Sequence, residues 1–172
     1  MTAQEDNAMK KKLAIVILIA LSAVPRGIPA SADGGRLTVH FFKSGVCPVC
    51  GRAERELPDI VRRYPRIALV HYEVRNSRNQ VTETNRRNIN MLVSMLQRIS
   101  SRLGGKPFIY ENRTPYAFAL VNGVPYYIKK LSETTTVKKE VPLPVFVLGD
   151  SVYVGYQPHV LEQALARYGA AP

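Results

Sequence analysis

Cysteine and acidic residues are scarce in this chain of 172 residues, which has two cysteines and 13 acidic residues against 24 basic ones. Two cysteines are too few for the multi-bridge framework of a small secreted domain, or for a four-cysteine iron–sulfur or zinc site. No apolar run reaches the ~20 residues that a bilayer-spanning helix needs. The hydrophobic fraction of 46% is nevertheless enough for a packed core. At roughly 100–200 residues per domain, the length predicts one domain, or one domain with an insertion.

The first 32 residues have the order of an export signal. Lys10-Lys-Lys12 precede an apolar run from Leu13 to Val24, and the small residues Ala30-Ser-Ala32 follow. This order predicts cleavage after Ala32 and a periplasmic or secreted protein whose mature domain is 33–172. An uncleaved membrane anchor is the alternative interpretation.

Removal of residues 1–32 leaves 20 basic and 11 acidic residues, a net charge of +9. The basic residues cluster at Arg62 to Arg66, at Arg75 to Arg78 and at Arg86-Arg87. Such clusters can bind nucleic acid, but an exported protein meets little of it, and no alternating aromatics accompany them. We therefore expect a solvated basic face and no nucleic-acid partner. Attraction to anionic membrane surfaces or to acidic partners stays open.

Hydrophobic spacing in the first half of the mature chain predicts a strand, a helix and a second strand. The strands are Leu37–Phe42 and Ile67–Val74, the second apolar enough to be central in a sheet. Between them, residues 48–64 have one apolar face at helical spacing and contain Pro58. A strand, a helix and a strand over this length predict a right-handed unit with parallel strands.

The second half predicts two more helices and two hairpins. A helix is expected from Asn88 to Leu103, and another from about Pro158 with Tyr168 on its inward face. One hairpin turns at Asn122-Gly123 and the other at Gly149-Asp150. Pro125 predicts that the return strand of the first hairpin lies at a sheet edge, because proline cannot donate a ladder hydrogen bond.

Both cysteines lie in Cys47-Pro48-Val49-Cys50, where the first strand gives way to the first helix. A disulfide that closes so small a loop stabilises a fold by only roughly 2 kcal/mol. It is therefore a poor structural device, and we expect the pair to exchange electrons instead. Cys47 stands at the helix N-terminus, where free N–H groups and the positive end of the helix dipole stabilise a thiolate and lower its pKa.

At these residues the sequence resembles the thioredoxin-fold family. The strand, Cys47-Pro-Val-Cys50, the helix and the next strand look like the opening half of that fold. Leu143 to Tyr156, with Pro144 and the Gly149-Asp150 turn, resembles its closing hairpin, and a helix follows. The resemblance covers residues 36–104 and 141–169. It implies an α/β thioredoxin-like fold, with a central mixed β-sheet flanked by helices and an insertion at about 105–140 before the proline hairpin.

The resemblance also implies residue roles. Cys47 would be the attacking thiol and Cys50 the buried resolving thiol of a redox-active disulfide. Substrate would contact Pro48 and Val49 and dock in extended form beside Leu143 and Pro144. The Leu143–Pro144 bond is expected to be cis, with Pro115 and Pro142 as alternative cis-prolines.

The implied activity is thiol-disulfide exchange, an oxidoreductase activity that needs no cofactor and no metal. The expected partners are protein thiols and disulfides, and a redox partner in the membrane. The direction of exchange stays open. The dipeptide Pro48-Val49 is closer to glutaredoxins than to thioredoxin, and Phe41 stands where thioredoxin has a buried acid six residues before the first cysteine.

The alternative function is a copper or zinc carrier that uses the same cysteine pair, since a Cys-x-x-Cys loop before a helix also resembles heavy-metal-associated domains. The histidines at 40, 71 and 159 have no ligand spacing to one another. Lys43 either adds to thiolate stabilisation or is solvated. Tyr156 and Tyr126-Tyr127 either frame a substrate groove or pack in the core.

Overall fold

The computed structural model of the protein describes residues 36–130 and 135–167. These residues form three helices and eight strands: β1 Leu37–Ser44, α1 Pro48–Arg62, β2 Ile67–Arg75, α2 Glu83–Arg102, β3 Ile109–Glu111, β4 Thr114–Val121, β5 Val124–Lys130, β6 Thr136–Glu140, β7 Val145–Leu148, β8 Ser151–Val154 and α3 Pro158–Arg167. None of these helices is both long and apolar enough to cross a membrane. The predicted Tyr168 lies outside the described residues, as does the whole export signal.

All eight strands belong to one sheet, in the order β2-β1-β7-β8-β3-β4-β5-β6. β1 pairs parallel with β2 and antiparallel with β7, while β3 pairs parallel with β8. The sheet is therefore mixed, and the predicted α/β class with helices and a mixed sheet is confirmed. The parallel strand–helix–strand unit of β1, α1 and β2 is also confirmed, with Pro58 inside α1.

Helices cover both faces of the sheet around β1 and β7. On one face, α1 and α3 pack against Val39 and Phe41 of β1 and Phe146 of β7. On the other face, α2 packs against Phe42 of β1 and Val147 of β7. Successive strand residues point to opposite faces, so β1 and β7 contribute side chains to both clusters. This double coverage explains why all four residues of β7 are buried.

The prediction that Ile67–Val74 is a central strand is wrong, because β2 ends the sheet order on one side. Its apolar character has another cause. Leu69 packs against the cluster under α1, whereas Tyr72 packs against the cluster under α2. A strand whose two faces are both covered has an apolar sequence, whether it pairs with one strand or with two.

The predicted start of the second helix at Asn88 is wrong by five residues, since α2 begins at Glu83. Thr82 caps it: its hydroxyl accepts from the Asn85 backbone N–H, and the Asn85 side chain accepts from the Thr82 backbone N–H at 2.9 Å. The first turn is mostly polar and exposed, so hydrophobic spacing misses it. The capping pattern was the available signal.

The segment predicted as an insertion contributes four strands, β3 to β6, that extend the sheet beyond β8. The β4–β5 hairpin at Asn122-Gly123 was predicted, as was the β7–β8 hairpin. β3 and β6 were not predicted. β3 has only three residues, and the five residues of β6 are all exposed, so neither shows a hydrophobic pattern.

Pro125 does not mark an edge strand, because β5 pairs with both β4 and β6. The carbonyl of Pro125 accepts from the Val141 N–H at 3.0 Å, one residue past the last paired residue of β6. The N and C=O of one residue point to the same side of a strand. The missing N–H of Pro125 therefore faces the end of the β6 ladder, where its absence costs little.

Candidate functional site

The cysteine pair lies at the junction between β1 and α1. Ser44 ends β1, and its carbonyl accepts from the Cys47 N–H at 3.2 Å, which closes a tight turn. Cys47 is the N-cap of α1, and Pro48 is its first residue, where a missing N–H leaves no donor unpaired. The first turn of α1 contains no acidic residue, so the positive end of its dipole is not offset there.

Cys47 and Cys50 form a disulfide with 5.2 Å between their Cα atoms. Cys47 Sγ also accepts from the Cys50 backbone N–H at 3.1 Å. Cys47 is half-buried, whereas Cys50 is only 1% exposed. The prediction that Cys47 is the accessible cysteine and that Cys50 faces inward is confirmed. The sulfur atom reachable from solvent is thus the one that the helix N-terminus can stabilise as a thiolate.

The loop before β7 comes within reach of this sulfur. The carbonyl oxygen of Leu143 lies 3.8 Å from Cys47 Sγ, although 96 residues separate them in sequence. The Leu143–Pro144 bond is cis, as predicted, and the bonds before Pro115 and Pro142 are not among the cis bonds of the described residues. Pro144 is buried, and its carbonyl accepts from the Gly155 N–H at 2.9 Å.

The four residues predicted to contact substrate surround the pair unevenly. Pro48 and Val49 are exposed on the outer side of the helix turn, with 43% of Val49 accessible. Leu143 is half-buried, and Pro144 beneath it is buried. Val46, which the sequence did not single out and which directly precedes Cys47 in the chain, is 45% exposed. Cys47 is therefore flanked by exposed apolar side chains, a surface that a protein segment could cover.

Phe41 of β1, where the resemblance to thioredoxin leads one to expect a buried acid, is fully buried. Its ring stacks on Phe146 at 4.9 Å between centroids. Lys43 forms an ion pair with Glu54 of α1, so neither expectation for it, thiolate stabilisation or simple solvation, describes its contact. Burial and the Lys43 charge lower the pKa of the neighbouring His71, while the Glu54 charge acts in the opposite direction.

Tyr156 packs in the core, which decides between the two expectations for it. Its side chain is 3% exposed and lies in the cluster under α1. Arg52 of α1 donates to the Tyr156 carbonyl at 3.1 Å and lies 5.4 Å above its ring. Burial, together with the Glu56 carboxylate, raises the pKa of the Tyr156 hydroxyl. Tyr127 is likewise fully buried, whereas Tyr126 is half-buried.

One neighbour of the site was missed from sequence: residues 75–80, which are the last residue of β2 and the loop that follows it. Gly45 donates its N–H to the Arg75 carbonyl at 2.8 Å. A Cβ atom at Gly45 would lie 2.5 Å from the Ser77 backbone nitrogen, so only glycine permits this approach. The signal in sequence was Gly45 itself, but nothing in sequence shows which segment approaches it.

In the part of the chain that the structure describes, no three or more His, Cys, Asp or Glu residues are grouped so that they could hold a metal ion. The chain matches no protein-family model, no curated protein and no solved structure. What can be said about function therefore rests on the cysteine pair and its surroundings.

Proposed function

We propose that this protein is an exported thiol-disulfide oxidoreductase of thioredoxin-like fold, which exchanges disulfides with protein clients through Cys47 and Cys50. The observation that carries the proposal is the position of Cys47. It is the half-buried N-cap of α1, hydrogen-bonded through its sulfur and facing the carbonyl of Leu143. A structural disulfide needs none of these features.

The burial of the two sulfur atoms supports a division of labour. In the disulfide form, a client thiolate attacks Cys47 Sγ, and a new sulfur–sulfur bond forms as the Cys47–Cys50 bond breaks. Cys50 leaves as a thiolate and takes up a proton. A second client thiolate then attacks the client sulfur and releases Cys47, so that the client dithiol is oxidised by two electrons and the pair is reduced. The reverse sequence reduces a client disulfide.

The peptide groups beside the site support a docking mode. The Leu143 carbonyl oxygen lies 3.8 Å from Cys47 Sγ, and the apolar side chains of Val46 and Val49, which flank Cys47 in the sequence, are exposed. An extended client segment that lies across Cys47 would place its backbone beside Leu143, in the manner of strand addition.

The thioredoxin-like fold is part of the proposal. β1, α1 and β2 are arranged as the resemblance expects, and Pro144 precedes the β7–β8 hairpin and the last helix, α3. The four strands β3 to β6 are then the addition to that fold.

The decisive experiment separates the two cysteines. The reduced Cys50→Ser variant is incubated with a peptide that contains one disulfide. Cys47 attacks one sulfur of the peptide disulfide, and the other sulfur leaves as a thiolate that stays on the same peptide. The protein cannot resolve the mixed disulfide because position 50 carries no thiol, and alkylation of the released peptide thiol keeps the peptide disulfide from closing again. Intact mass should then show a covalent adduct. The matched Cys47→Ser variant keeps only the Cys50 thiol, which is 1% exposed, and we expect its adduct formation to be at least about a hundred-fold slower because the peptide cannot reach it.

Alkylation gives an independent measurement. Cys47 in the reduced protein should react with iodoacetamide well below pH 8, while Cys50 stays slow. The proposal fails if no adduct forms and both thiols titrate near ~8.5, the ordinary value for cysteine. The metal-carrier alternative would then be tested by loading the reduced protein with copper(I) or zinc, desalting it and analysing the bound metal.

Export is proposed from the sequence of residues 1–32 and has its own test. The intact mass of the protein recovered from an exporting bacterial host should correspond to a chain that begins at Asp33. A chain that retains residues 1–32 would contradict export with cleavage, whatever the outcome of the exchange assay.

A further inference from the structure

The last residue of β2 and the loop after it, residues Arg75–Gln80, contact Gly45 near the cysteine pair, and we call this segment the basic loop. Its contact with Gly45 is backbone to backbone, with the Arg75 carbonyl accepting from Gly45 N–H at 2.8 Å. Gly45 is two residues before Cys47 in the turn that leads into α1. The basic loop therefore lies beside the surface on which a client would meet Cys47.

Hydrogen bonds hold the basic loop in one shape. The Asn76 side-chain oxygen accepts from the backbone N–H groups of Arg78 at 3.0 Å and Gln80 at 2.8 Å. The Asn76 amide also donates to the Gln80 side chain at 3.2 Å, and Asn79 adopts a positive φ of 61°. A loop ordered in this way presents its side chains at low entropic cost.

The side chains it presents are cationic. Arg75 donates to the backbone and side-chain oxygens of Asn79, both at 3.3 Å, and Arg78 is exposed. Within the described ranges, 36–130 and 135–167, neither guanidinium forms an ion pair with an acidic side chain. By contrast, Lys43 of β1 forms an ion pair with Glu54. The positive charge of Arg75 and Arg78 is thus available to a partner.

The two halves of the surface differ in character. Next to Cys47 the exposed side chains are apolar, with Val46 at 45% and Val49 at 43% accessible. One step outward, across Gly45, the exposed side chains are those of the basic loop. A segment that covers both would match the first half with apolar residues and the second half with carboxylates.

From this arrangement we infer that the clients of the Cys47–Cys50 pair carry their reactive cysteine in an apolar segment flanked by acidic residues, which Arg75 and Arg78 of the basic loop recognise. The inference rests on the proposed exchange function and adds the client class to it. Charge of this kind accelerates encounter and orients the segment, and its effect is screened by salt.

The test uses the oxidised mature protein and three peptides of equal length, each with one cysteine in the same apolar core. Their flanks are acidic, neutral or basic. The peptide thiolate attacks Cys47 Sγ, and Cys50 leaves as a thiolate, so the loss of the protein disulfide reports the rate. At low ionic strength we expect the acidic peptide to react about ten-fold faster than the basic one, within the range known for electrostatic steering. In 1 M NaCl, where the Debye length is about 3 Å, the difference should fall below about two-fold.

Two variants with the same change in net charge assign the effect to the basic loop. Arg78→Glu should slow the acidic peptide about three- to ten-fold and speed the basic one. Arg98→Glu is the matched control. Arg98 is also exposed, but it lines a cavity of about 260 Å³ with Leu37 and Thr38, at the other end of β1 from the cysteines. It should leave the ratio of the two rates within about two-fold of the wild-type ratio. Arg78→Gln should give an intermediate ratio.

The outcomes separate the two proposals. If the three peptides react at equal rates, or if Arg78→Glu and Arg98→Glu change the ratio equally, client recognition by the basic loop is wrong while exchange stands. If no peptide opens the disulfide at any salt concentration, the exchange function is wrong, and the client class is wrong with it.

Discussion

β7 and β6 belong to the same sheet but have opposite surroundings. All four residues of β7 are buried, between α1 and α3 on one face and α2 on the other, whereas all five residues of β6 are exposed. β7 pairs with β1 on one side and β8 on the other, while β6 ends the order of described strands. The same backbone geometry is therefore stabilised by packing at one place and mainly by ladder hydrogen bonds at the other.

The difference shows where a reactive group can be held rigidly. The cysteine pair follows β1, and Leu143 precedes β7, so both halves of the candidate site begin from the packed part of the sheet. The outer strands rely on side-chain pairs instead. Glu111 of β3 binds Lys139 of β6 at 3.0 Å and lies 3.5 Å from Lys129 of β5. We therefore expect mutations in the two regions to change the free energy of unfolding by different amounts. Those changes should also differ in their dependence on salt and pH.

The largest effect is expected from Phe146→Ala in β7. The Phe146 ring is 1% exposed and stacks on Phe41, so its removal leaves a cavity between the sheet and α1. The free energy of unfolding should fall by about 3–5 kcal/mol. Urea denaturation followed by circular dichroism measures it. A loss below about 1 kcal/mol would mean that the packed region is not the main source of stability.

A smaller effect is expected from the titration of His40 in β1. Burial lowers its pKa below the ordinary 6.5, and its Nδ1 lies 3.1 Å from the Tyr72 hydroxyl. Below pH 6.5 the unfolded chain binds a proton more readily than the folded protein, so stability falls as pH decreases through the lowered folded value. The pKa of His71 is also lowered, so its titration affects stability in the same direction.

The pH dependence can be assigned by substitution. His40→Gln should flatten the fall in unfolding free energy between pH 7.5 and 5.5, measured by urea denaturation at each pH. His159→Gln is the control, since His159 is exposed at the start of α3. An unchanged slope in His40→Gln would show that the environment of His40 does not disfavour its charged form.

In the outer region, Glu111→Gln should lower the free energy of unfolding by about 0.5–1 kcal/mol at pH 7. Burial acts to raise the pKa of Glu111, but hydrogen bonds and the charges of Lys139 and Lys129 outweigh it, and the pKa is lowered. Ionised Glu111 thus stabilises the folded protein at pH values above 4.5, the pKa of the unfolded chain. This stabilisation is lost as pH falls through the lowered pKa of the folded protein. The difference between variant and wild type should shrink in 1 M NaCl. A salt-independent loss would indicate packing rather than charge.

The smallest effect is expected from Val137→Ala in β6. Val137 is 40% exposed, so the loss should stay below about 0.5 kcal/mol in the same denaturation assay. Val137→Ala and Phe146→Ala therefore give the smallest and the largest expected loss of stability in the sheet. A loss comparable to that of Phe146→Ala would mean that β6 is covered in solution.

Prediction from sequence succeeded where the signal is local. The periodicity of 48–64 predicted α1, the two turns predicted the β4–β5 and β7–β8 hairpins, and Cys47 was placed at the start of a helix. It failed where the signal is polar or short. The first turn of α2 and the strands β3 and β6 have no apolar pattern, so only capping or ladder contacts reveal them.

Strand order also escaped prediction. The apolar run of β2 suggested a central strand and Pro125 suggested an edge, and both expectations were reversed. Apolar character reports coverage of the two faces of a strand, whereas position in a sheet depends on backbone pairing. A proline is excluded only where its missing N–H would face a ladder partner.

The sequence by itself determined the local chemistry of this protein: two cysteines one helical turn apart, a proline at the first helical position and an apolar face beneath them. These follow from spacing, because residues three or four apart share a helix face. Tertiary structure alone decided which distant segments surround them. The Leu143 carbonyl reaches Cys47 Sγ across 96 residues, and the basic loop reaches Gly45 across about 30. Contacts of that range depend on how the strands pair, which no local pattern encodes.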